Sequence, residues 1–239
     1  MKNIFFLILT TLFSINVIGQ TTEFSFHLTS GLFSFRGSES GTTTIYTAAS
    51  DFGAYSTWSP FGKHSGFSYC LGFNAQRITD SHFIFGIRTS YESLSSSINI
   101  DKVINITSSG GETWDAYDSR TILTNRFINI FPFLGNRMNV INGVNSDLIF
   151  GFDIGAYHSI KEHATINANQ KSYNTTKNSL KEKWDYRLHV EMINYYKRVG
   201  LSIGYSYGLT NYLFVPKYNN FEKRDARSRM LRFGLVYKI

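Results

Sequence analysis

Apolar and polar residues alternate with a period of two along several stretches of the chain, most clearly towards its C-terminal end. In the last stretch every second position is apolar, namely Leu231, Phe233, Leu235, Tyr237 and Ile239. Because a strand sends successive side chains to opposite sides, this alternation predicts a strand with one oily and one polar face. The pattern places the chain in the all-β class.

The same alternation predicts eight strands along the chain. We place them at roughly Glu23–Arg36, His64–Arg77, His82–Glu92, Arg120–Leu134, Leu148–Ile160, Trp184–Tyr196, Val199–Phe214 and Leu231–Ile239. Each is long enough for a tilted strand to cross a bilayer, which takes about 9–11 residues. The prediction is an antiparallel up-and-down transmembrane β-barrel of about eight strands, within a range of eight to ten.

The predicted connections alternate in length, as they do in membrane barrels with short periplasmic turns and long external loops. Connections are long near 37–63, 99–119, 162–183 and 215–226, short near 78–81 and 197–198, and intermediate near 135–147. An even number of strands then places both termini in the periplasm. Strand patterns flanking Ser108–Gly111, and another at Thr42–Tyr46, predict hairpins that protrude on the extracellular side.

The N-terminal segment 1–19 has the features of a secretory signal peptide. Lys2 is followed by the apolar run Ile4–Val17, and small or apolar residues precede a cleavage site before Gln20. A short membrane anchor is the alternative interpretation. No run of 18 apolar residues follows, so the remaining 20–239 is expected to form one barrel domain without a transmembrane helix.

Alternation alone does not separate a membrane barrel from a lipocalin-like barrel or a β-sandwich, which bury their oily face. Long apolar faces, Gly- and Ser-rich opposite faces and an aromatic C-terminal strand favour lipid. Aromatic residues near the strand ends are expected to form interfacial girdles, namely Trp184, Tyr195, Tyr196, Phe214 and Tyr237. We therefore expect the chain in the outer membrane of a Gram-negative bacterium.

With this pattern and topology, the chain resembles the small eight-stranded outer-membrane barrels of the OmpA/OmpX type. Through its signal ending Val17-Ile18-Gly19-Gln20 it also resembles the PorT-like outer membrane protein β-barrel domain family. The resemblance implies that the C-terminal strand is recognised by the barrel-insertion machinery, although it ends in Tyr237-Lys238-Ile239 rather than in Phe. It also suggests a link to secretion.

Several charged residues have the parity of the polar face and are expected inside the barrel. They are Arg88, Glu92, Asp153, Arg187, His189, Glu191 and Arg232. An eight-stranded barrel is just wide enough for side chains to fill it, and unpaired charges there would be costly. We expect these residues to form an interlocked network of ion pairs and hydrogen bonds. The alternative is a path for protons or ions.

The long loops are expected to carry a basic surface. It comprises Lys171, Lys177, Lys181, Lys183, Lys217, Lys223, Arg224 and Arg227. These residues would lie beside the phosphates of lipopolysaccharide, or would bind an acidic protein partner. Nucleic acid is not an expected partner in this compartment.

The residues favour a non-enzymatic barrel that anchors in the outer membrane and presents its loops for structural or partner-binding roles. A narrow channel or transport accessory is the alternative. A lipid A-modifying enzyme is less favoured, since the nearest His–Ser pair, His158 and Ser159, are strand neighbours that point to opposite faces. No catalytic residue, metal ligand or cofactor site is predicted.

Overall fold

The computed structural model describes residues 21–49, 54–141, 143–178, 184–213 and 224–239. The predicted signal peptide lies outside these ranges. Twelve strands form within them: β1 Thr21–Arg36, β2 Thr43–Ala49, β3 Ala54–Thr57, β4 His64–Ile78, β5 Phe83–Thr107, β6 Gly110–Asp115, β7 Arg120–Ile141, β8 Val144–Ala168, β9 Lys171–Asn178, β10 Trp184–Tyr196, β11 Val199–Gly208 and β12 Arg227–Lys238. No helix in the described ranges has the length and apolar character needed to span a bilayer.

Eight of these strands pair in an antiparallel ring. In order around it, β1 pairs with β4, β4 with β5, β5 with β7, β7 with β8, β8 with β10, β10 with β11, β11 with β12, and β12 with β1. Each of the eight therefore has a hydrogen-bonded neighbour on both sides, as a barrel in lipid requires. The predicted fold class, an up-and-down barrel of about eight strands, is confirmed.

The ring strands match the eight predicted stretches, but some bounds differ. Three strands run further than expected, whereas β11 ends at Gly208, where the pattern predicted a strand continuing to Phe214. β5 continues to Thr107, β8 to Ala168 and β7 to Ile141. The intermediate connection predicted at 135–147 is wrong, because β7 and β8 continue through most of it and leave a tight turn at Gly143, whose φ is 86°. A positive φ of this kind favours glycine, which lacks the Cβ that would clash.

Burial alternates along the ring strands as the sequence pattern requires. Along β10 every second residue is buried and the others are exposed. The exposed set is apolar, as Val190 and Leu201 illustrate, at 45% and 64% exposed. An oily face left open by the fold is the surface that acyl chains cover in a membrane barrel.

Three of the residues predicted for aromatic girdles, Trp184, Tyr196 and Tyr237, do point outwards. The prediction for Tyr195 is wrong, since this residue is only 1% exposed and packs inside the barrel. Adjacent strand residues face opposite sides, so Tyr195 and Tyr196 could not both have pointed to lipid. Phe214 lies outside the described residues.

The barrel interior is built in layers. One apolar layer near the short turns contains Ile84, Phe131, Phe133 and Tyr195 among others. A second, near the long loops, is an aromatic cluster that includes Phe35, Phe127 and Tyr212. Charged residues lie between them. Many strands contribute residues to these layers. Each ring strand therefore supplies interior residues as well as lipid-facing ones.

Beyond the ring, strands β2, β3, β6 and β9 extend the sheet on the side of the long loops. β6 and β9 are hairpin partners of the extended ends of β5 and β8, and β2 lies parallel to β5 with β3 at its edge. This extension, which we call the protruding sheet, has a small core of its own that includes Tyr46, Val103 and Ile166. The hairpin expected around Ser108–Gly111 is present, with β5 ending at Thr107 and β6 beginning at Gly110.

The outward face should tolerate no charge at its centre. We expect Val190→Arg, in the middle of β10, to lower the free energy of unfolding by about 2–4 kcal/mol, because an arginine at mid-bilayer must leave water. Thr113→Arg on β6, in the protruding sheet, is the matched control and should change little. Urea titration in phospholipid vesicles measures both, and equal stability of Val190→Arg and wild type would show that acyl chains do not contact this face.

Candidate functional site

The seven charged residues predicted for the interior all point into the barrel. Each is 5% exposed or less. They are supplied by strands β5, β8, β10 and β12, on which the alternation of burial places them opposite the lipid-facing set. Ring closure brings these strands around one space, so residues separated by more than a hundred positions meet there.

Two carboxylates organise this central cluster. Glu92 accepts from Arg187 Nη2 and from Arg232 Nη1, each at 2.6 Å. Asp153 accepts from Arg232 Nη2 at 2.9 Å and lies 3.2 Å from Nδ1 of His189. Arg187 Nε also lies 3.9 Å from Asp153, so Arg187 and Arg232 both bridge the two carboxylates.

A separate ion pair joins Arg88 Nη2 to Glu191 at 2.7 Å. Aromatic rings of the apolar layers lie against the charges. The Arg88 guanidinium lies over the ring of Phe131 at 5.4 Å, and His189 stacks on the same ring at 4.6 Å. Arg187 lies over Phe127 at 5.4 Å. Phe131 thus lies against the charges on one side of the charged layer, and Phe127 lies against them on the other.

Sequence reasoning missed other interior members. Asp185 accepts from Tyr212 Oη at 2.9 Å and lies 3.3 Å from Arg187 Nε. Asp185 has the same parity on β10 as Arg187, so the alternation in the sequence could have predicted that it points into the barrel. Near the short turns, Arg137 pairs with Asp147 at 2.6 Å and Glu23 at 2.8 Å. The Arg137–Asp147 pair falls in the stretch 135–147, which the sequence pattern had suggested was a connection.

The structure places His158 and Ser159 as neighbours on β8, with His158 exposed. Its recorded ring contact is with Tyr91, at a centroid distance of 6.5 Å. In the ranges that the structure covers, no group of three or more His, Cys, Asp or Glu side chains is arranged to hold a metal ion. The single cysteine, Cys70, is buried.

The predicted basic surface is only partly described. Arg224 is exposed and forms a bidentate pair with Glu39, at 2.6 and 2.7 Å, and Arg227 lies 3.4 Å from Asp225. Hydrogen bonding to Arg224 lowers the pKa of Glu39, and the backbone N–H of Ser38 lowers that of Asp225. Lys177 is exposed on β9, opposite Glu162. Lys171 begins β9, but its side chain is not described, and Lys181, Lys183, Lys217 and Lys223 lie outside the described residues.

Three strands of the protruding sheet each have one ladder partner among the described residues. β3 pairs with β2, β6 with β5, and β9 with β8. A hydrogen bond of 3.0 Å between Tyr46 Oη and Thr175 Oγ1 shows that β2 and β9 approach each other around the small core. Burial raises the pKa of Tyr46. Large exposed side chains on this part of the chain include Trp58, at 63% exposed, and Tyr117, at 55%.

No protein-family model and no curated protein sequence matches the chain. Solved structures similar to it include Ail, the attachment invasion locus protein of Yersinia pestis, in complex with the heparin analogue sucrose octasulfate, with 10% identity over 91% of this chain and 99% of that one and a TM-score of 0.39. Neisserial surface protein A is 11% identical over 92% and 99%, with a TM-score of 0.40. The translocator domain of the autotransporter NalP from Neisseria meningitidis is 8% identical over 100% and 95%, with a TM-score of 0.31. We draw nothing about function from likenesses of this size.

Breaking the central cluster should be costly. We expect Glu92→Ala to lower the free energy of unfolding by about 3–5 kcal/mol, because it leaves two buried guanidinium groups without their shared carboxylate. Urea titration of the refolded barrel in detergent measures this. Asp101→Ala, at an exposed position on the protruding sheet, serves as the control and should stay within about 0.5 kcal/mol of wild type. A similar small change for Glu92→Ala would contradict the coupling described here.

The Arg88–Glu191 pair allows a sharper test. We expect Glu191→Leu alone to destabilise the barrel more than the double change Arg88→Met with Glu191→Leu, because the single change leaves a buried charge unpaired. The same titration, arranged as a double-mutant cycle, measures the coupling. Additive effects of the two substitutions would show that they do not interact.

Proposed function

We propose that this chain is a non-enzymatic outer-membrane β-barrel that anchors in the membrane and presents its protruding sheet to a protein partner on the cell surface. In this arrangement the closed ring lies in lipid, the short turns and both termini face the periplasm, and the long strands carry the sheet outwards.

The observation that carries the proposal is the length of the strands beyond the ring. β5 and β8 each contain 25 residues, whereas about 9–11 residues suffice to cross a bilayer. The additional residues form a sheet with four further strands and its own core, around Tyr46, Val103 and Ile166. Closing the barrel requires none of this, so the extension supports a role outside the membrane.

The edges of the protruding sheet suggest how a partner would bind. An edge strand offers unpaired backbone groups to an added strand, and alternate side chains then give specificity. β9, with the sequence Lys171–Asn178, is polar along its length and pairs with β8 on one side. Exposed aromatic side chains such as Trp58 and Tyr117 would supply the apolar part of the contact.

The filled interior favours this role over a channel. The small residues on the inner faces, which could have indicated an open lumen, make room for large side chains from neighbouring strands. A Cβ on Gly86 would lie 2.5 Å from Phe133 Cζ, and one on Gly200 would lie 2.7 Å from Tyr195 Cδ1. The glycines therefore belong to a packed interior rather than to a pore.

Two further partners form part of the proposal. The phosphates of lipopolysaccharide would contact the basic side chains near the long loops, and the barrel-insertion machinery would recognise the C-terminal strand. A secretion-related role of the PorT-like kind is the more specific version of the function. A protein partner for the protruding sheet is compatible with it.

Recovery of a partner from native membranes tests the proposal. We expect deletion of the β5–β6 hairpin tip, residues 105–112, to reduce recovery of proteins that co-purify with the affinity-tagged wild type by tenfold or more, as measured by quantitative mass spectrometry. The control Lys197→Gln with Arg198→Gln alters the turn at the opposite end of the barrel and should leave recovery unchanged. Equal recovery with the tip deleted would contradict the proposal.

Conductance separates the proposal from its alternative. We expect the purified barrel to give no stepwise current in planar bilayers, because two apolar layers close the interior on either side of the charged cluster. A porin inserted in the same bilayer serves as the positive control. Reproducible single-channel steps from the purified chain would favour the channel instead.

A further inference from the structure

Three arginines lie together on the outer surface of the barrel. Arg36 ends β1, while Arg227 and Arg229 begin β12. The ladder pairs Arg36 with Arg227 and Ser34 with Arg229. All three arginines have the parity of the lipid-facing residues rather than that of the interior. Arg36 is an even number of positions from the outward-facing Leu32 on β1. Arg227 and Arg229 are an even number of positions from the outward-facing Leu231 on β12.

Their side chains cross between strands instead of extending freely. Arg36 donates from Nη2 to the carbonyl of Gly208 at 2.8 Å, and its guanidinium lies 3.7 Å from the ring centroid of Tyr207 on β11. Arg229 donates from Nε to Ser34 Oγ at 3.0 Å, in the opposite direction. Two of the three guanidinium groups are thus fixed on one small area of three adjacent strands. We call Arg36, Arg227 and Arg229 together the arginine patch.

Charge in the arginine patch is not balanced by the described residues. Asp225 is its acidic neighbour and lies 3.4 Å from Arg227. In the ranges that the structure covers, neither Arg36 nor Arg229 lies within 4 Å of a carboxylate, although Asp225 also attracts Arg36, and Arg224 is matched by Glu39. Like charges directly opposite each other on neighbouring strands are destabilising, so the Arg36–Arg227 pair favours an anion on this surface.

On the side of the long loops, a rigid connection holds the arginine patch. Gly37, with φ of 119°, turns the chain at the end of β1. The next two residues bond to Asp225: Ser38 N–H donates to its carboxylate at 3.0 Å, and Glu39 N–H donates to its carbonyl at 3.0 Å. The arginine-bearing ends of β1 and β12 are therefore fixed relative to each other, and little ordering would be required on binding.

We infer that the arginine patch, formed by Arg36, Arg227 and Arg229 beside Tyr207, is a binding site for a phosphate group of a phosphorylated glycolipid in the outer leaflet. The inference rests on the proposed outer-membrane placement. Guanidinium groups bind phosphate through paired, charge-assisted hydrogen bonds. Tyr207 has the amphipathic ring expected at the boundary between acyl chains and head groups.

The position of the patch favours a lipid over a free anion. The outward faces of the same three strands continue with Leu32 on β1, Leu231 on β12 and Tyr205 on β11. These side chains are at least partly exposed. A lipid whose phosphate contacts the arginines would place its acyl chains along these residues. A free phosphate ion would gain none of that apolar contact, and its hydration would compete with the partly exposed guanidinium groups.

The test uses the mature chain refolded in detergent and three probes: intact lipopolysaccharide, the same lipopolysaccharide after enzymatic removal of its lipid A phosphates, and inorganic phosphate. We expect Arg36→Gln with Arg229→Gln to weaken binding of intact lipopolysaccharide about tenfold or more by native mass spectrometry, since charge-assisted hydrogen bonds are lost. Dephosphorylation should weaken binding to wild type similarly and should have little further effect on the variant.

The control Lys102→Gln with Arg120→Gln removes equal charge from exposed positions on the protruding sheet and should bind like wild type. Arg36→Lys with Arg229→Lys keeps the charge but loses the planar fork, and should bind with intermediate affinity. Heat-dependent gel mobility verifies that each variant is folded. Unchanged binding by the glutamine variant, equal binding of dephosphorylated glycolipid, or equally tight binding of inorganic phosphate would each overturn the inference.

The two proposals fail separately. If the glutamine variant loses lipopolysaccharide but still recovers the partner of the protruding sheet, the lipid site and the proposed function both stand. If recovery of the partner never depends on residues 105–112 while the arginine effect persists, only the proposed function fails.

Discussion

The pairing of the first and last ring strands is the interaction on which the remaining structure depends. β1 and β12 form a continuous antiparallel ladder from Ser25 with Lys238 to Arg36 with Arg227. In hydrocarbon, each unpaired backbone group costs several kcal/mol, so an open sheet could not remain there. This ladder joins the first and last ring strands, removes both edges, and separates an inside from an outside.

Closure explains why so many charges are tolerated within the barrel. Arg232 on β12 meets Glu92 on β5 and Asp153 on β8 only because the ring encloses a single narrow space. The desolvation penalty for buried ion pairs can equal their attraction, so the cluster need not add stability. Its alternating signs and the flanking rings of Phe127 and Phe131 instead favour one arrangement of the strands.

The same ladder also shapes the outer face of the barrel. At the end nearest the long loops, the ladder places Arg36 beside Arg227. This position lies between the lipid-facing apolar residues and the protruding sheet. A lipid phosphate held there would stabilise the barrel at the height where β1 and β12 leave the bilayer. The protruding sheet, built from the extended β5 and β8, would then be presented from a fixed base.

Period-two alternation determined the eight ring strands, their lipid-facing sets and the parity of the interior charges, because which side a strand residue faces is a local property. Tertiary structure decided what met across the ring: the sharing of Glu92 between Arg187 and Arg232, the parallel pairing of β2 with β5, and the arginine patch. These contacts join residues up to about two hundred positions apart, and they depend on strand order, register and tilt, which no local pattern specifies. The continuation of strand through 135–147 was also decided there. Arg137 is paired with Asp147 across the β7–β8 hairpin and with Glu23 on β1, which ring closure brings near.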